Sequence, residues 1–253
     1  MKLGEIEYPS LQGQVSDAEW ATRVQLASLY RLVPIMGWDD MSITHASARV
    51  PDEPNHYLFN PLGFLFEEIT ASCLVKIDIE GNIVAPTPFE ITLGGWYPMK
   101  AVHEVRDDAD FVLHTHEDYG GAMSARKDPL LSITQGAAFV LADKLAYHDY
   151  DGVETYEEHN PGLQASLGEA NRLILRNHGL LTLGPTAFHA FYRMYGLVKA
   201  CRIQLLAGMR GDLIEIPEVI NATFADEIRR AQGNNPWPGL LRKLDRTDPD
   251  YKL

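Results

Sequence analysis

The chain has 253 residues and a formal net charge of −13, and 45% of its residues are hydrophobic. This length and ordinary composition predict a folded protein with a real core and exclude a disordered chain. The acidic balance argues against binding to nucleic acid or to an anionic membrane surface, because both need a basic patch. Only two cysteines are present, Cys73 and Cys201, which excludes a disulfide scaffold. No apolar run approaches the roughly 18 residues of a membrane span, and no secretory signal is seen, so the sequence predicts a cytoplasmic protein.

The first half of the chain predicts one helix followed by short strands. Ser16 and Glu19 form a capping box that starts an apolar-periodic helix, which Pro34 and Gly37 end. Strand-like segments follow, either rich in β-branched and small residues or bounded by turn residues. They cover residues 42–50, 56–60, 74–79 and 83–84.

The second half interleaves short apolar strands with helical periodicity. Predicted helices cover residues 92–106, 119–126 and 186–209, and predicted strands cover residues 110–116, 173–176 and 180–183. This alternation is typical of a layered α/β domain. Neither a repeat nor a linker is seen, so the sequence predicts a single domain over residues 1–253. A Pro- and Gly-rich stretch predicts an irregular C-terminal tail from about residue 233.

Two histidines, His114 and His116, lie at the end of the predicted strand 110–116. Residues i and i+2 of a strand project to the same face, so these two imidazoles can converge on one ion. Zinc binds such nitrogens at about 2.0–2.1 Å. By itself, a pair of histidines at a strand end is more typical of an ordinary surface than of a metal site.

A third histidine, His178, strengthens the metal interpretation. It lies in the turn Arg176-Asn177-His178-Gly179, directly after another apolar strand. Three imidazoles from two strand ends would leave coordination positions open, as catalytic zinc sites do. The alternative is a turn histidine that only caps backbone groups. The sequence contains no HExxH, GxSxG, P-loop or GxGxxG motif that would indicate another chemistry.

Four segments, at residues 37–50, 59–70, 114–125 and 173–184, resemble the class II aldolase/adducin head family in their order and spacing. The resemblance extends over residues 16–209. It implies a three-layer α/β/α sandwich around a mainly antiparallel sheet, and a homotetramer with active sites between subunits. It also implies a divalent ion held by His114, His116 and His178. Zinc is the first expectation, and Mn, Fe or Co also accept three imidazoles.

The departures from the sugar-phosphate aldolases of this family concern the groups that act on the substrate. Gly95 stands where those enzymes have a catalytic glutamate, and Gln135 stands near a proton-donating tyrosine. The two phosphate-binding segments are replaced by Thr44-His45 and by Leu62-Gly63. The resemblance thus implies that the metal ligands are kept while the catalytic base and the phosphate-binding residues are lost. This combination resembles the adducin-like bacterial branch of the family.

These features predict a metal-dependent lyase that breaks a C–C bond in a small oxygenated carboxylate, by decarboxylation or retro-aldol cleavage. The two reactions share an enolate whose charge a divalent ion stabilises. Loss of the glutamate weakens the aldolase interpretation more than the decarboxylase one. The candidate catalytic residues are His45, then Glu68 and Gln135. The candidate substrate contacts are Thr44, Asn60, Gly63 and Gly95.

Two alternatives from other classes stay open. A three-histidine site can hold iron and support an oxygenase on the same fold. An adducin-like domain can also serve assembly without catalysis. In the lyase interpretation the expected partner is a small carboxylate or carbonyl compound, which an acidic chain can still bind because the ion supplies local positive charge.

Overall fold

The computed structural model describes residues 2–3, 6–152, 156–208, 210–230 and 235–253. Its centre is a seven-stranded sheet, apart from which a small ribbon pairs Lys2–Leu3 with Ile6–Glu7. The strands of the sheet are, in chain order, β1 (His45–Arg49), β2 (His56–Phe59), β3 (Val75–Asp78), β4 (Phe111–Thr115), β5 (Leu145–His148), β6 (Arg172–Leu175) and β7 (Gly179–Gly184).

The strands lie in the order β3-β2-β1-β4-β7-β6-β5. All neighbours are antiparallel except β5 and β6, which are parallel. The two halves of the chain meet where β1 lies beside β4, and this register pairs His45 with His114. On the other side of β4, Thr115 pairs with Leu180 of β7. The first pairing places two histidines side by side near the end of β4, and the second places the start of β7 beside that end.

The helices cover both faces of the sheet and give the predicted three layers, with α1 and α6 on one face and α2 and α5 on the other. Their bounds are α1 (Asp17–Ile35), α2 (Leu93–Val105), α3 (Asp118–Ser124), α4 (Gln135–Ala142), α5 (Asn160–Leu167), α6 (Ala187–Ala207), α7 (Glu218–Asn221), α8 (Phe224–Arg230) and α9 (Trp237–Thr247). The predicted α/β sandwich with a mainly antiparallel sheet is confirmed.

Burial on both faces explains why the central strands look continuously apolar in the sequence. Every residue of β4, β6 and β7 is buried, because helices cover both sides of the sheet. The predicted start of α1 is also confirmed, since the Ser16 hydroxyl accepts a hydrogen bond from the Glu19 amide at 3.1 Å. No helix among the described residues is long and apolar enough to cross a membrane.

The prediction of an irregular C-terminal tail is wrong from residue 237 onward; residues 233 and 234 lie outside the described residues. Helix α9 forms there and is followed by a 3₁₀ turn at Pro249–Lys252. Pro236 and Pro238 do not prevent the helix, because proline is tolerated before and within the first turn. Trp237, Leu244 and Tyr251 are buried and attach the segment to the core.

Other differences are local. The predicted strand at residues 83–84 is reduced to a single bridge between Ile77 and Ile83. Helix α6, predicted over residues 186–209, ends at Ala207, and Gly208 follows with φ 103. Met209 lies outside the described residues. Sequence patterns missed α4, β5 and α5, since each is short and lacks a clear period.

Candidate metal centre and active site

Three histidine side chains converge at one edge of the sheet. His114 is the fourth residue of β4, His116 follows the end of that strand, and His178 lies in the turn before β7. The Nε2 atom of His116 is 2.9 Å from His114 Nε2 and 2.8 Å from His178 Nε2. The structure therefore brings together the three residues that the sequence predicts as metal ligands.

Hydrogen bonds at Nδ1 orient two of these rings. His114 Nδ1 donates to the Leu180 carbonyl at 2.9 Å, and His116 Nδ1 donates to Asp40 Oδ2 at 2.9 Å. In its neutral form each ring therefore presents an unprotonated Nε2 to the common centre. Burial, reinforced by His178 and His116, holds the pKa of His114 well below its usual range. A buried group that resists a proton while its lone pair faces other nitrogens is suited to a metal cation.

The spacing of the nitrogens fits one ion. Nitrogens bound at about 2.1 Å lie about 3.0 Å apart at right angles and about 3.4 Å apart at the tetrahedral angle of a zinc site. The observed 2.8 and 2.9 Å separations are close to the first value and about half an ångström below the second. Three neutral imidazoles on one side of an ion are the donor set of catalytic zinc and related metals, with the opposite side open to a ligand.

The turn that carries His178 depends on two unusual backbone positions. Asn177 has φ 57, in the left-handed region that asparagine tolerates. A Cβ on Gly179 would lie 2.4 Å from the Thr115 carbonyl oxygen, so only glycine lets β7 approach the end of β4 this closely. This close approach brings His178 to His116.

Asp40 is a site residue that the sequence analysis missed. Its side chain is 40% exposed, and its carboxylate accepts the hydrogen bond from His116 across 76 positions of the chain. A carboxylate on the far nitrogen of a metal-binding histidine fixes the ring orientation and raises its basicity. The sequence does show the acidic pair Asp39-Asp40 inside the segment 37–50. Nothing in that segment indicates that Asp40 would contact His116.

His45 lies next to this centre, since it pairs with His114 across β1 and β4. Only 5% of its surface is exposed, and this burial lowers its pKa to about 4. Its Nδ1 donates to Asn60 Oδ1 at 3.0 Å, and the same oxygen lies 3.0 Å from the Tyr30 hydroxyl. Asn60 Nδ2 donates to the Pro61 carbonyl, which fixes the direction of the amide. Asn60, predicted as a substrate contact, thus serves here to orient His45.

The His45 ring lies directly over Gly95, near the start of α2. A Cβ built on Gly95 would lie 2.2 Å from His45 Nε2 and 2.4 Å from Cδ2. The prediction that Gly95 contacts substrate therefore finds no support within the chain, because the imidazole occupies the space in front of it.

The other predicted site residues lie in different settings. The Thr44 hydroxyl is buried and has no hydrogen-bond partner among the described residues, which fits a ligand or water contact. Gly63 is exposed at φ 78 with open space beside it. The Glu68 carboxylate accepts a hydrogen bond from the Leu65 amide at 2.8 Å and so caps its own 3₁₀ turn. Gln135 is exposed at the start of α4, which packs on α6. Glu68 does not belong to the cluster of converging donor atoms, which among the described residues consists of His114, His116 and His178.

A mainly antiparallel sheet between two helical layers, with three converging histidines at one edge, defines an α/β protein with a candidate metal centre. Residues 24–205 match the Class II Aldolase and Adducin N-terminal domain family. The chain belongs to this family, as the resemblance in the sequence predicts.

Known relatives include bacterial and animal proteins. A putative aldolase class 2 protein of Caulobacter vibrioides is 46% identical over 260 residues, covering 99% of each chain. Alpha-adducin of Mus musculus is 41% identical over 186 residues, covering 72% of this chain and 25% of the adducin. The crystal structure of an aldolase II superfamily protein from Pseudomonas syringae superimposes with a TM-score of 0.90 at 41% identity, covering 97% of this chain and 100% of that one.

Proposed function

We propose that this chain is a divalent-metal-dependent lyase that breaks a C–C bond in a small oxygenated carboxylate, by retro-aldol cleavage or decarboxylation. The observation that carries the proposal is the convergence of three Nε2 atoms, two of them 2.9 and 2.8 Å from the third. Membership in the class II aldolase family supports the reaction class.

In this proposal His114, His116 and His178 hold the ion, zinc first and Mn, Fe or Co as alternatives. When bound, the ion supplies a Lewis acid that stabilises negative charge on the carbonyl oxygen of the substrate. Asp40 keeps the His116 ring in place through its 2.9 Å hydrogen bond. The ion also supplies local positive charge, so the net charge of −13 does not prevent binding of a small anion.

The substrate is proposed not to be a sugar phosphate. Leu62 is 52% exposed in the segment where the aldolases of the family hold phosphate, and an aliphatic side chain donates no hydrogen bond. We expect a ketose 1-phosphate to be cleaved poorly, as measured by carbonyl release with metal-loaded protein. Rapid cleavage would show that the phosphate site has been misassigned.

The decisive experiment measures bound metal. We expect about one divalent ion per chain in purified protein by mass spectrometry, and His116→Ala is expected to remove most of it. His56→Ala is the matched control, because His56 pairs with Glu53 and belongs to no cluster with the triad. Equal metal content in the two variants would overturn the assignment. Oxygen uptake during turnover would instead support an iron oxygenase.

The similarity to alpha-adducin over 186 residues favours a second candidate, a non-catalytic assembly domain. This alternative predicts that metal removal leaves the cellular role unchanged, and the lyase predicts that it abolishes activity. The triad is complete in this chain, which favours the lyase.

We further propose a homo-oligomer, with a tetramer as the expected form. Apolar side chains are 39–69% exposed in the segments that flank Asp40, Asn60 and Gly95: Met41, Ile43, Leu62, Leu65 and Leu93. Burial of this apolar surface between copies would stabilise an assembly.

Location of the protein in the cytoplasm stays a prediction.

A further inference from the structure

His45 and Gly95 share one side-chain space. The imidazole of His45 lies where a side chain on residue 95 would begin, with Nε2, Cδ2 and Cε1 at 2.2, 2.4 and 2.8 Å from an added Cβ. Real Cβ atoms do not approach other atoms this closely, so the present His45 position requires glycine at residue 95. The ring therefore occupies the volume that a side chain on residue 95 would need.

The hydrogen bonds behind the ring select one tautomer. Asn60 Oδ1 accepts from His45 Nδ1 at 3.0 Å, and Asn60 itself is held by Tyr30 and by the Pro61 carbonyl. With the proton on Nδ1, the Nε2 atom carries a lone pair. In the described part of the chain Nε2 has no hydrogen-bond partner, and it is not one of the fully buried atoms. This nitrogen thus carries a lone pair that no group of the described chain occupies, and it is not fully closed off from solvent.

We propose that His45 is the catalytic proton-transfer residue of this site and that Gly95 is the residue that makes room for it. The inference rests on the proposed lyase function. In retro-aldol cleavage Nε2 takes the proton of the hydroxyl whose oxygen becomes a carbonyl, and the electron pair of the broken C–C bond forms the enolate. Nε2 then returns the proton to the enolate carbon, and His45 is again neutral. In reverse, this last step takes a proton from the carbon next to a carbonyl.

Two other roles for His45 make different predictions. If His45 were a fourth metal ligand, its replacement would weaken binding of the ion by the protein. Among the described residues, however, the cluster of converging donor atoms contains only His114, His116 and His178. A purely structural histidine would change stability and leave proton transfer intact. His103 provides the matched control, because it is a buried histidine on the same face of the sheet, 2.8 Å from the Ser47 hydroxyl and packed on Tyr57 and Trp96.

The test uses pyruvate, the simplest carboxylate with an adjacent carbonyl and an exchangeable C–H bond. Zinc-loaded protein in D₂O is expected to exchange the methyl protons of pyruvate for deuterium, as followed by proton NMR. His45→Gln should slow this exchange by about 100-fold or more, the usual contribution of a positioned base. His103→Gln should keep the rate within about threefold, and both variants should keep the zinc content of the parent. His45→Asn serves as a second variant, and circular dichroism confirms that each is folded.

A readout independent of activity comes from ¹⁵N NMR of the metal-free and zinc-loaded protein. The His45 Nε2 resonance is expected at the position of an unprotonated imidazole nitrogen, and zinc should not move it as it moves those of the triad. A protonated Nε2, a zinc-induced shift of a bound nitrogen, or full exchange in His45→Gln would overturn the role of His45. Absence of zinc-dependent exchange in the parent protein would instead overturn the proposed lyase function.

Discussion

The substitution Gly95→Ala tests the packing of His45 directly. Alanine in place of glycine inside a helix normally gains up to about 1 kcal/mol. Here the added Cβ would lie 2.2 Å from His45 Nε2, and the ring is held by Asn60, so it cannot move aside freely. Overpacking of this kind costs about 1–3 kcal/mol. With about 2 kcal/mol for the overpacking and up to about 1 kcal/mol for the gain, the balance is a loss of about 1–2 kcal/mol, which lowers the Tm of a chain of this length by about 2–8 °C.

Gly136→Ala is the matched control for this prediction. Gly136 is the second residue of α4 and Gly95 the third residue of α2, so both lie in the first turn of a helix. An added Cβ on Gly136 would meet only the Thr134 hydroxyl, at 3.9 Å. We therefore expect Gly136→Ala to be neutral or stabilising by a few tenths of a kcal/mol. The sign of the effect should differ between the two glycines.

Removal of the imidazole should remove the penalty. In the His45→Ala background the space over residue 95 is empty, so Gly95→Ala is expected to cost nothing or to stabilise the protein. The double-mutant cycle should give a coupling of about 2 kcal/mol, which is the full overpacking cost, by urea denaturation followed by circular dichroism. Equal effects of Gly95→Ala in both backgrounds, or equal stability of the Gly95→Ala and Gly136→Ala variants, would refute the reasoning.

Three further predictions follow from the site. Asp40→Asn should weaken zinc binding about 10-fold, at the low end of such effects because the carboxylate is 40% exposed; unchanged affinity in a competition titration would contradict its role at His116. Zinc at 100 times its Kd should add about 2.7 kcal/mol of stability, seen as a Tm that falls on addition of EDTA, and a Tm that does not respond would contradict metal binding. Burial lowers the pKa of His45 to about 4 and that of His103 to about 3. The unfolded chain therefore takes up protons below pH 6.5 that the folded chain does not, and each histidine should lower the free energy of unfolding by about 1.4 kcal/mol per pH unit down to about pH 4. Urea denaturation of metal-free protein between pH 7 and 4 measures this, and a His103→Gln variant with an unchanged slope would contradict it.

The three converging histidines could be predicted from the sequence because each signal is local. His114 and His116 are two residues apart on a strand, which fixes their common face, and His178 lies on a turn that ends an apolar strand. That His178 lies close to the other two histidines is implied only by the family resemblance. In the structure, pairing of β4 with β7 brings its turn to the end of β4. Local signals of this kind also predicted α1, α2 and α6.

The supporting residues could not be predicted in this way. Asp40 reaches His116 across 76 positions, and Asn60 reaches His45 through a side-chain geometry that no spacing encodes. Helix α4 and strand β5 were missed because each is short and lies at the edge of the domain, where tertiary packing decides the outcome. The tail was misread because its prolines lie at the one end of a helix that tolerates them.

The relation between His45 and Gly95 changes how the missing glutamate is understood. The sequence alone suggests a site that has lost its base, since glycine cannot carry a proton. In the fold, residue 95 of α2 and residue 45 of β1 compete for one volume, and a side chain on one excludes the present side chain of the other. A glycine at residue 95 is therefore the condition for an imidazole to lie next to His114, rather than a sign of decay. If His45 has the proposed role, the site replaces a carboxylate on a helix by an imidazole on the neighbouring strand. It then keeps a proton-transfer group beside the three histidines, although the sequence lacks the glutamate.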